Sequence, residues 1–423
     1  MQALSTPNRG SSAFSVLGER QFKLLFIGTT LAQLAFGMMQ VVQGVVAFEL
    51  TGKNSAVGFV ALGTGISMLF LGPIGGTLSD RMSKRRILMF TQIVIGVMFG
   101  IIAGLIFSGA ITILILAGAS LVMGSMFAAM GPTRQAWLGD LLEGPALASG
   151  VALQQLMMNA TRIVGPLAAG LLIAIKPIGT AGTYTVMAAI FAVVVFVLAL
   201  MAPTPPRPRK VVTSIRGDLA GGFRYIWSSP EVRLLTLVFA GVVLSGFSYQ
   251  TIMPGFLENE LGHPASQLGI IFGTTAVGGI VTTLYLASHR PTNAAPPMFA
   301  FGAALAASLF LLALAPGFFA ALAIAALVGA SSSGFQMLNN VNLMQRTAPE
   351  FFGRVMAVTM MSFGLNSMVA YPVGQLADHI GERPTMAALA CLCMTIVVLG
   401  FTAMRTGDSR RWASAQPRGV AGS

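Results

Sequence analysis

Long apolar stretches, separated by short polar segments, run along most of this chain. Each stretch is close to the roughly 20 residues that an α-helix needs to cross a bilayer. Bounded by charged residues or by Pro and Gly, they predict twelve membrane spans. Those in the first half are 22–48, 56–78, 87–108, 111–131, 148–175 and 181–202, and those in the second half are 232–257, 266–287, 296–314, 317–343, 353–376 and 384–404. Spans nine and ten meet near Pro316 and Gly317.

A longer polar segment, 203–231, separates spans six and seven. It begins with a proline-rich stretch that is typical of an extended linker. Apolar residues then recur at helical spacing near several arginines, which predicts a short amphipathic helix on the inner membrane surface; a disordered tether is the alternative. The predicted fold class is an all-α membrane protein with two pseudo-symmetric six-helix bundles. The predicted divisions are an N-terminal tail 1–21, a bundle 22–202, the linker 203–231, a bundle 232–404 and a C-terminal tail 405–423.

Composition supports a membrane protein. Hydrophobic residues make up 55% of the 423 residues and charged residues only 9%, against about 25% charged in soluble domains. The net charge of +12 reflects topology rather than nucleic-acid binding, because 21 of the 25 Lys and Arg residues fall on the side of the two termini and three on the other. The positive-inside rule therefore places both termini in the cytoplasm. No removable signal peptide is expected before the first span.

One loop, GGTLSDRMSKRR at 75–86, carries acidic and basic residues together between spans two and three. It resembles the signature GxLaDRxGRK (motif A) of the major facilitator superfamily, except that Ser83 replaces the usual glycine. The matching residues are Gly76, Leu78, Asp80, Arg81, Lys84 and Arg85. FELTGKNSAVG, PTRQAW, NATRIVGPLAAG and QRTAPEFFGRVMAV resemble the bacterial branch of enterobactin and macrolide exporters. The resemblance implies the major facilitator fold, a bacterial inner or plasma membrane location and transport by alternating access.

In that family, motif A braces the cytoplasmic contact between the two halves and breaks when the transporter turns inward. The resemblance therefore implies a gating latch at Asp80 and Arg81, to which Asp140 could add a further acid. The alternative is that the basic residues serve only as a topology signal. The counterpart in the second half has decayed to ASHRPTNAAP, so a one-sided latch is expected. GQLADHIGERP also resembles motif A, but it follows span eleven on the outer side and is interpreted as a chance similarity.

Span five contains Arg162, the one fully charged side chain predicted inside a span. Placing an arginine at the centre of a membrane helix costs about 2.5–3.5 kcal/mol on insertion scales, so such residues usually face a bundle interior or water. Gln155 and Asn159 lie seven and three residues before Arg162 and share its helix face. A cavity or coupling role and a structural role in capping carbonyl groups both remain open. Gly165, Pro166 and Gly170 then resemble the antiporter signature GPxxGG (motif C), with Ala169 in place of one glycine.

Uncharged polar residues on other spans predict a central substrate cavity. The candidate residues, including those of span five, are Gln33, Gln40, Gln43, Gln155, Asn159, Tyr249, Gln336, Asn340 and Asn366. Interhelical hydrogen bonds, worth about 0.6 kcal/mol each, are the alternative explanation. Amides, hydroxyls and adaptable methionines with little charge favour small amphipathic or lipophilic substrates, such as drugs or siderophores.

The sequence contains no phosphate-binding loop, zinc-ligand spacing or nucleophile–base arrangement, so neither an enzyme nor a cofactor or metal is predicted. The predicted function is secondary export, with proton antiport suspected, although no proton site is identified. An uptake carrier or facilitator is one alternative. A non-transporting membrane sensor or a lipid scramblase is another. The expected partners are a small-molecule substrate, the lipid bilayer and protons, with no nucleic acid, and the protein is expected to be a monomer.

Overall fold

The computed structural model describes residues 13–81, 83–202, 215–289, 291 and 293–414. These residues form helices and connecting turns, and no strand occurs among them. Residues 71–81 and Asn159 are described as helix without their side chains. The side chains of the predicted motif A residues Leu78, Asp80 and Arg81, and with them the predicted latch, therefore lie outside the described part of the chain, and nothing is described of Gly76 beyond its place in the helix. Both chain ends and the proline-rich start of the linker also lie outside it.

Six long helices follow one another in the first half of the chain. They are α1 (Arg20–Thr51), α2 (Asn54–Arg81), α3 (Lys84–Phe107), α4 (Ile113–Leu141), α5 (Gly144–Ala174) and α6 (Gly179–Ala199). A short 3₁₀ turn, Ala13–Gly18, precedes α1. The linker segment forms α7 (Ile215–Ser228), with Ile226 buried and Phe223 and Trp227 exposed.

The second half begins with a helix in three pieces, followed by five continuous helices. They are α8 (Pro230–Gly246), α9 (Tyr249–Gly255), a π-helical turn (Phe256–Glu260), α10 (Leu268–Ser288), α11 (Ala295–Ala313), α12 (Phe318–Arg346), α13 (Pro349–Ile380) and α14 (Glu382–Ser414). As predicted, Pro316 and Gly317 fall between α11 and α12. Phe247 and Ser248 interrupt what the sequence predicted as one continuous span, 232–257.

Ten stretches of the described helices are long and apolar enough to cross a membrane. The two other predicted spans, 56–78 and 353–376, lie within α2 and α13, and the described apolar part of α2 is the shorter stretch Asn54–Phe70. Large apolar side chains such as Phe107, Leu114 and Phe196 are each more than 60% exposed, as lipid-facing residues are. The prediction of an all-α membrane protein is confirmed.

Helices α4 and α14 each end ten residues later than predicted, α14 at Ser414 rather than at 404. The sequence ends span four at residue 131, but α4 continues to Leu141, so that Arg134 and Asp140 lie inside the helix rather than in a loop after it. Trp137 and Leu138 explain the extension, because both are at most 1% exposed. Continuing the helix lets these two large side chains reach the protein interior, which outweighs the local polarity.

The residues form two compact units. The first consists of Met1–Leu50, Val60–Val212 and Ser266–Gly273, and the second of Thr51–Phe59, Thr213–Ala265 and Thr274–Ser423. Aromatic clusters mark the packed interiors. In the first unit Phe99 lies against Tyr184 and Phe191, with ring centroids 5.9 and 5.5 Å away. In the second unit Phe239 stacks on Phe335 at 6.1 Å. Each unit also includes a short segment from the opposite half of the sequence.

Candidate functional site

The last basic residues of motif A, Lys84 and Arg85, connect three helix ends of the first unit. Lys84, in the first turn of α3, forms a salt bridge with Asp140 in the last turn of α4. Arg85 donates to the backbone carbonyls of Leu198 (Nε–O, 3.2 Å) and Ala199 (Nη2–O, 2.6 Å). Those carbonyls belong to the last two residues of α6, beyond which no further helical turn supplies donors, and that of Leu198 also accepts from the N–H of Met201 at 3.2 Å. These two residues therefore hold the start of α3 against the ends of α4 and α6.

Polar residues of α5 lie on a face that other parts of the protein leave uncovered. Gln155 and Arg162 are both exposed, and Arg162 has no hydrogen-bond or ion-pair partner among the described residues. Val164 and Leu171, which are 52% and 64% exposed, lie on roughly the opposite side of the helix, since each residue turns it by about 100°. The exposed polar face and the exposed apolar face of α5 therefore point in different directions.

Further along α5, the helix face that carries Gln155 and Arg162 is buried by packing. Pro166 and Gly170 follow Arg162 at spacings of four and eight residues, and both are buried. A Cβ atom at Gly170 would lie 3.0 Å from the Cα atom of Gly269, which belongs to the same unit. This face of α5 is thus exposed at Gln155 and Arg162 and tightly packed one to two turns later, at Pro166 and Gly170.

Gly165 gives α5 a second close contact, with α1. A Cβ atom there would lie 2.9 Å from the Cα atom of Gly37, closer than real Cβ contacts come. Small residues at such positions let two membrane helices approach at backbone distance. Gly165 and Gly170 of the predicted antiporter signature therefore contact two different partners, Gly37 of α1 and Gly269 at the start of α10.

The three glutamines predicted on span one have different surroundings. Gln40 is exposed and Gln33 is partly buried. Gln43 is 7% exposed, and its Nε2 atom donates to Ser120 Oγ of α4 at 3.0 Å. Ser120 Oγ also lies 3.0 Å from Thr64 Oγ1 of α2. Gln43 therefore takes part in hydrogen bonds that connect α1, α4 and α2, which is the interhelical role given above as the alternative to a substrate cavity. Gln40 is the more accessible of the two residues.

In the second unit, the polar candidates gather at the interruption between α8 and α9. Ser248 Oγ donates to Asn366 Oδ1 of α13 at 2.9 Å and also contacts the carbonyl of Leu244 at 2.6 Å. Tyr249, the next residue, is 3% exposed, and its hydroxyl bonds with Thr275. Interrupted helices leave backbone polar groups near the membrane midplane, which is where many transporters bind substrate. Gly246, the last residue of α8, is a local signal for this break that sequence reasoning did not use.

On α12, Gln336 and Asn340 are both partly buried. Asn340 Oδ1 is shielded from solvent and has no hydrogen-bond partner among the described residues. The neighbouring Asn339 was not selected from the sequence. Its side chain is fully buried, and neither its Oδ1 nor its Nδ2 atom has a partner within the described part of the chain. This stretch of α12 therefore holds amide groups whose hydrogen-bonding capacity is unused.

Sequence reasoning also missed Arg134. Its side chain is 6% exposed, and its Nη2 atom has no hydrogen-bond partner among the described residues. One helical turn earlier, Met130 Sδ accepts a hydrogen bond from Gln92 Nε2 of α3 at 3.2 Å. If α4 is continued past the predicted end of the span, Arg134 lies four residues after Met130 and therefore on the same face of the helix. This spacing could have identified Arg134 as a buried residue.

No group of three or more His, Cys, Asp or Glu side chains suited to a metal ion occurs within the described ranges. Both cysteines are free, Cys391 being exposed and Cys393 buried. Apart from the cluster around Lys84 and Asp140, the polar groups described above can thus offer hydrogen bonds and the positive charges of Arg134 and Arg162.

Comparison with known proteins gives the family. The family model described as Major Facilitator Superfamily matches residues 25–371. The multidrug efflux pump Tap of Mycobacterium tuberculosis is 25% identical over 407 residues, covering 91% of this chain and 94% of Tap. The enterobactin exporter EntS of Escherichia coli is 25% identical over 342 residues, or 79% of each chain. The crystal structure of the nucleoside transporter NupG aligns with a TM-score of 0.75 at 12% identity, covering 91% of this chain and 99% of that one. This chain is therefore a multi-pass membrane protein that belongs to the Major Facilitator Superfamily of transporters.

Proposed function

We propose that this protein is a secondary transporter that exports small amphipathic or lipophilic molecules by alternating access, in exchange for protons. Membership of a transporter superfamily supports transport, and the similarity to the multidrug efflux pump Tap and the enterobactin exporter EntS supports export of drug-like or siderophore-like compounds. The lysine and arginine distribution supports a bacterial inner membrane orientation with both termini in the cytoplasm.

The main structural support for this proposal is the exposed polar face of α5. An arginine that faced lipid without a partner would be costly, so the uncovered side of Arg162 fits a water-filled pathway better than a lipid contact. The exposed apolar residues Val164 and Leu171, on the other side of the helix, provide the lipid-facing surface. Beyond Arg162, the same face of α5 is buried at Pro166 and Gly170. This burial supports a pathway that is open from one end only, as alternating access requires.

The substrate class follows from the groups that surround such a pathway. Gln40, Asn340 and the bond between Ser248 and Asn366 offer amides and a hydroxyl, and Arg162 adds one positive charge. A large, highly charged solute would find few counter-charges here. Lipophilic molecules with a few hydrogen-bonding groups, neutral or singly negative, fit these residues.

Purified protein in liposomes tests the proposal. Lipophilic dyes of positive, neutral and negative charge are presented with and without an imposed pH gradient, and Arg162→Ala serves as the matched variant. Dye movement that depends on the gradient and on Arg162 supports proton-coupled export. Tight selectivity for a small, highly charged solute would contradict the proposed substrate class. Gradient-independent lipid movement would instead indicate a scramblase, and ligand-dependent stabilisation without flux would indicate a sensor.

A further inference from the structure

The segment GQLADHIGERP, which resembled motif A by chance on the sequence, makes a specific contact at the end of α13. Asp378 Oδ1 accepts a hydrogen bond from the backbone N–H of Asn54 at 2.7 Å, and Asp378 Oδ2 accepts one from the backbone N–H of Ser55 at 3.0 Å. These N–H groups belong to the first turn of α2, where they have no partner within the helix. One carboxylate thus satisfies two unpaired donors at the positive end of a helix dipole.

A second carboxylate holds the same residue. Glu382, only 6% exposed, accepts hydrogen bonds through Oε1 from Asn54 Nδ2 at 3.0 Å and from Asn259 Nδ2 at 2.6 Å. Asn54 itself is 1% exposed. The start of α2 is therefore held through its backbone by Asp378 and through its side chain by Glu382.

The packing around these bonds is close over two turns of α13. A Cβ atom at Gly374 would lie 2.5 Å from the carbonyl oxygen of Asn54, and one at Gly58 would meet the carbonyl of Ala370. Phe59 and Tyr371 pack edge to face with ring centroids 5.8 Å apart. Gly374 precedes Asp378 by four residues, so the glycine admits the backbone of α2 and the acid meets its N–H groups one turn later.

Arg383, the residue after Glu382, bonds to other groups and not to the Glu382 carboxylate. Arg383 donates to Glu260 Oε2 at 2.6 Å and to the carbonyls of Ala313 and Ala315 at 2.9 and 3.0 Å. The guanidinium group is thereby committed to the end of α11 and to the π-helical turn. The hydrogen bonds that Glu382 receives therefore come from two neutral amides.

We propose that Asp378 and Glu382 form an outer latch, which holds the start of α2 against α13 and must release before the protein opens on the side opposite its termini. The inference rests on the proposed alternating-access function, because Asn54 belongs to the first six-helix half of the sequence and both acids belong to the second. Opening one side requires these halves to part there. The contact is suited to repeated release, since it consists of a few hydrogen bonds at a helix end and of shape complementarity at glycines.

The latch is tested by thiol accessibility in whole cells. The two native cysteines are replaced by serine, and Ala370→Cys, at a site 2% exposed beside Gly58, reports opening through its rate of reaction with a membrane-impermeant maleimide. Asp378→Ala is expected to raise this rate about tenfold, the factor that a helix-end carboxylate of this kind is worth. Asp378→Asn, which keeps an acceptor oxygen, and Glu382→Gln should give smaller increases.

Glu258→Gln is the matched control, because this exposed carboxylate lies at the same end of the unit and, among the described residues, bonds only to the nearby backbone N–H of Ala265 at 3.3 Å. It should leave the rate unchanged. An unchanged rate in both Asp378 variants, in protein that still unfolds cooperatively, would overturn the latch. Lower thermal stability without a change in rate would likewise mean a purely structural cap. The readout does not depend on flux, so failure of the latch and failure of the proposed function are separable.

Discussion

Lys84 and Asp140 form a salt bridge that joins the first turn of α3 to the last turn of α4. Their side chains are only 14% and 10% exposed, so the pair is largely shielded from water. The sequence resemblance implied a role for both residues in motif A, with Asp140 as an additional acid. Their direct contact shows that the basic part of the motif is anchored within its own unit.

Breaking this pair should destabilise the protein. We expect Asp140→Asn to cost about 1–3 kcal/mol, between the values for surface and buried pairs, because Lys84 would keep its charge without its partner. Thermal unfolding of the detergent-solubilised protein measures the loss. The exchange variant Lys84→Asp with Asp140→Lys should recover part of it, and equal loss in the exchange and single variants would contradict a direct pairwise interaction.

Adding a side chain at Gly165 should disrupt the contact between α1 and α5. Gly165→Leu places atoms where the backbone of Gly37 lies, and overpacking of this kind costs about 1–3 kcal/mol. Gly100→Leu is the control, because a Cβ atom at Gly100 meets no atom within 4 Å. The comparison uses membrane yield and thermal stability. Equal behaviour of the two variants would argue against tight packing at Gly165.

Removing the charge of Arg162 should stop transport without preventing membrane insertion. We expect Arg162→Ala to lower flux at least about tenfold, because a cavity-facing charge acts on the substrate or on coupling. Arg162→Lys, which keeps the charge, should retain part of the flux. Liposome transport and protein yield are the two measurements. Flux within about twofold of wild type in Arg162→Ala would mean that the arginine has only a structural role.

Asn366 offers a way to separate substrate binding from helix packing. If its bond to Ser248 is purely structural, Asn366→Ala should cost only about 0.6 kcal/mol of stability and leave KM unchanged. As part of the proposed cavity, the same variant should raise KM several-fold. The control is Ser367→Ala, since Ser367 bonds only to the carbonyl of Phe363 at 3.4 Å. Transport kinetics and unfolding are measured in parallel.

Much of the helical architecture was predictable because membrane spans have a strong local signal. About 20 consecutive apolar residues define a span without reference to the rest of the fold. The extension of α4 to Leu141 was not predictable in this way. Its polar sequence resembles a loop, and the helix continues because Trp137 and Leu138 are buried by distant parts of the unit. The break at Phe247 and Ser248 was missed although Gly246 directly precedes it, because an isolated glycine in an apolar span does not by itself end a helix. Ser248 is bonded to Asn366, 118 residues away.

The candidate site was only partly predictable, because a polar residue in a span looks the same whether it lines a cavity or joins two helices. Gln40 and Gln43 are three residues apart and chemically identical, yet one is exposed and the other donates to Ser120. Arg134 and Asn339 were overlooked, the first because it was assigned to a loop and the second because its neighbour Asn340 was preferred. Burial and partner choice depend on neighbouring helices.

The sequence by itself determined the membrane class, the family and the approximate positions of the spans, because hydropathy, charge distribution and motif spacing act locally along the chain. The tertiary structure alone decided which polar groups meet. It joined Lys84 to Asp140, and it brought Asp378 and Glu382 to Asn54 across more than 320 residues. Such contacts depend on the packing of helices that are far apart in the chain, and no local pattern encodes that packing.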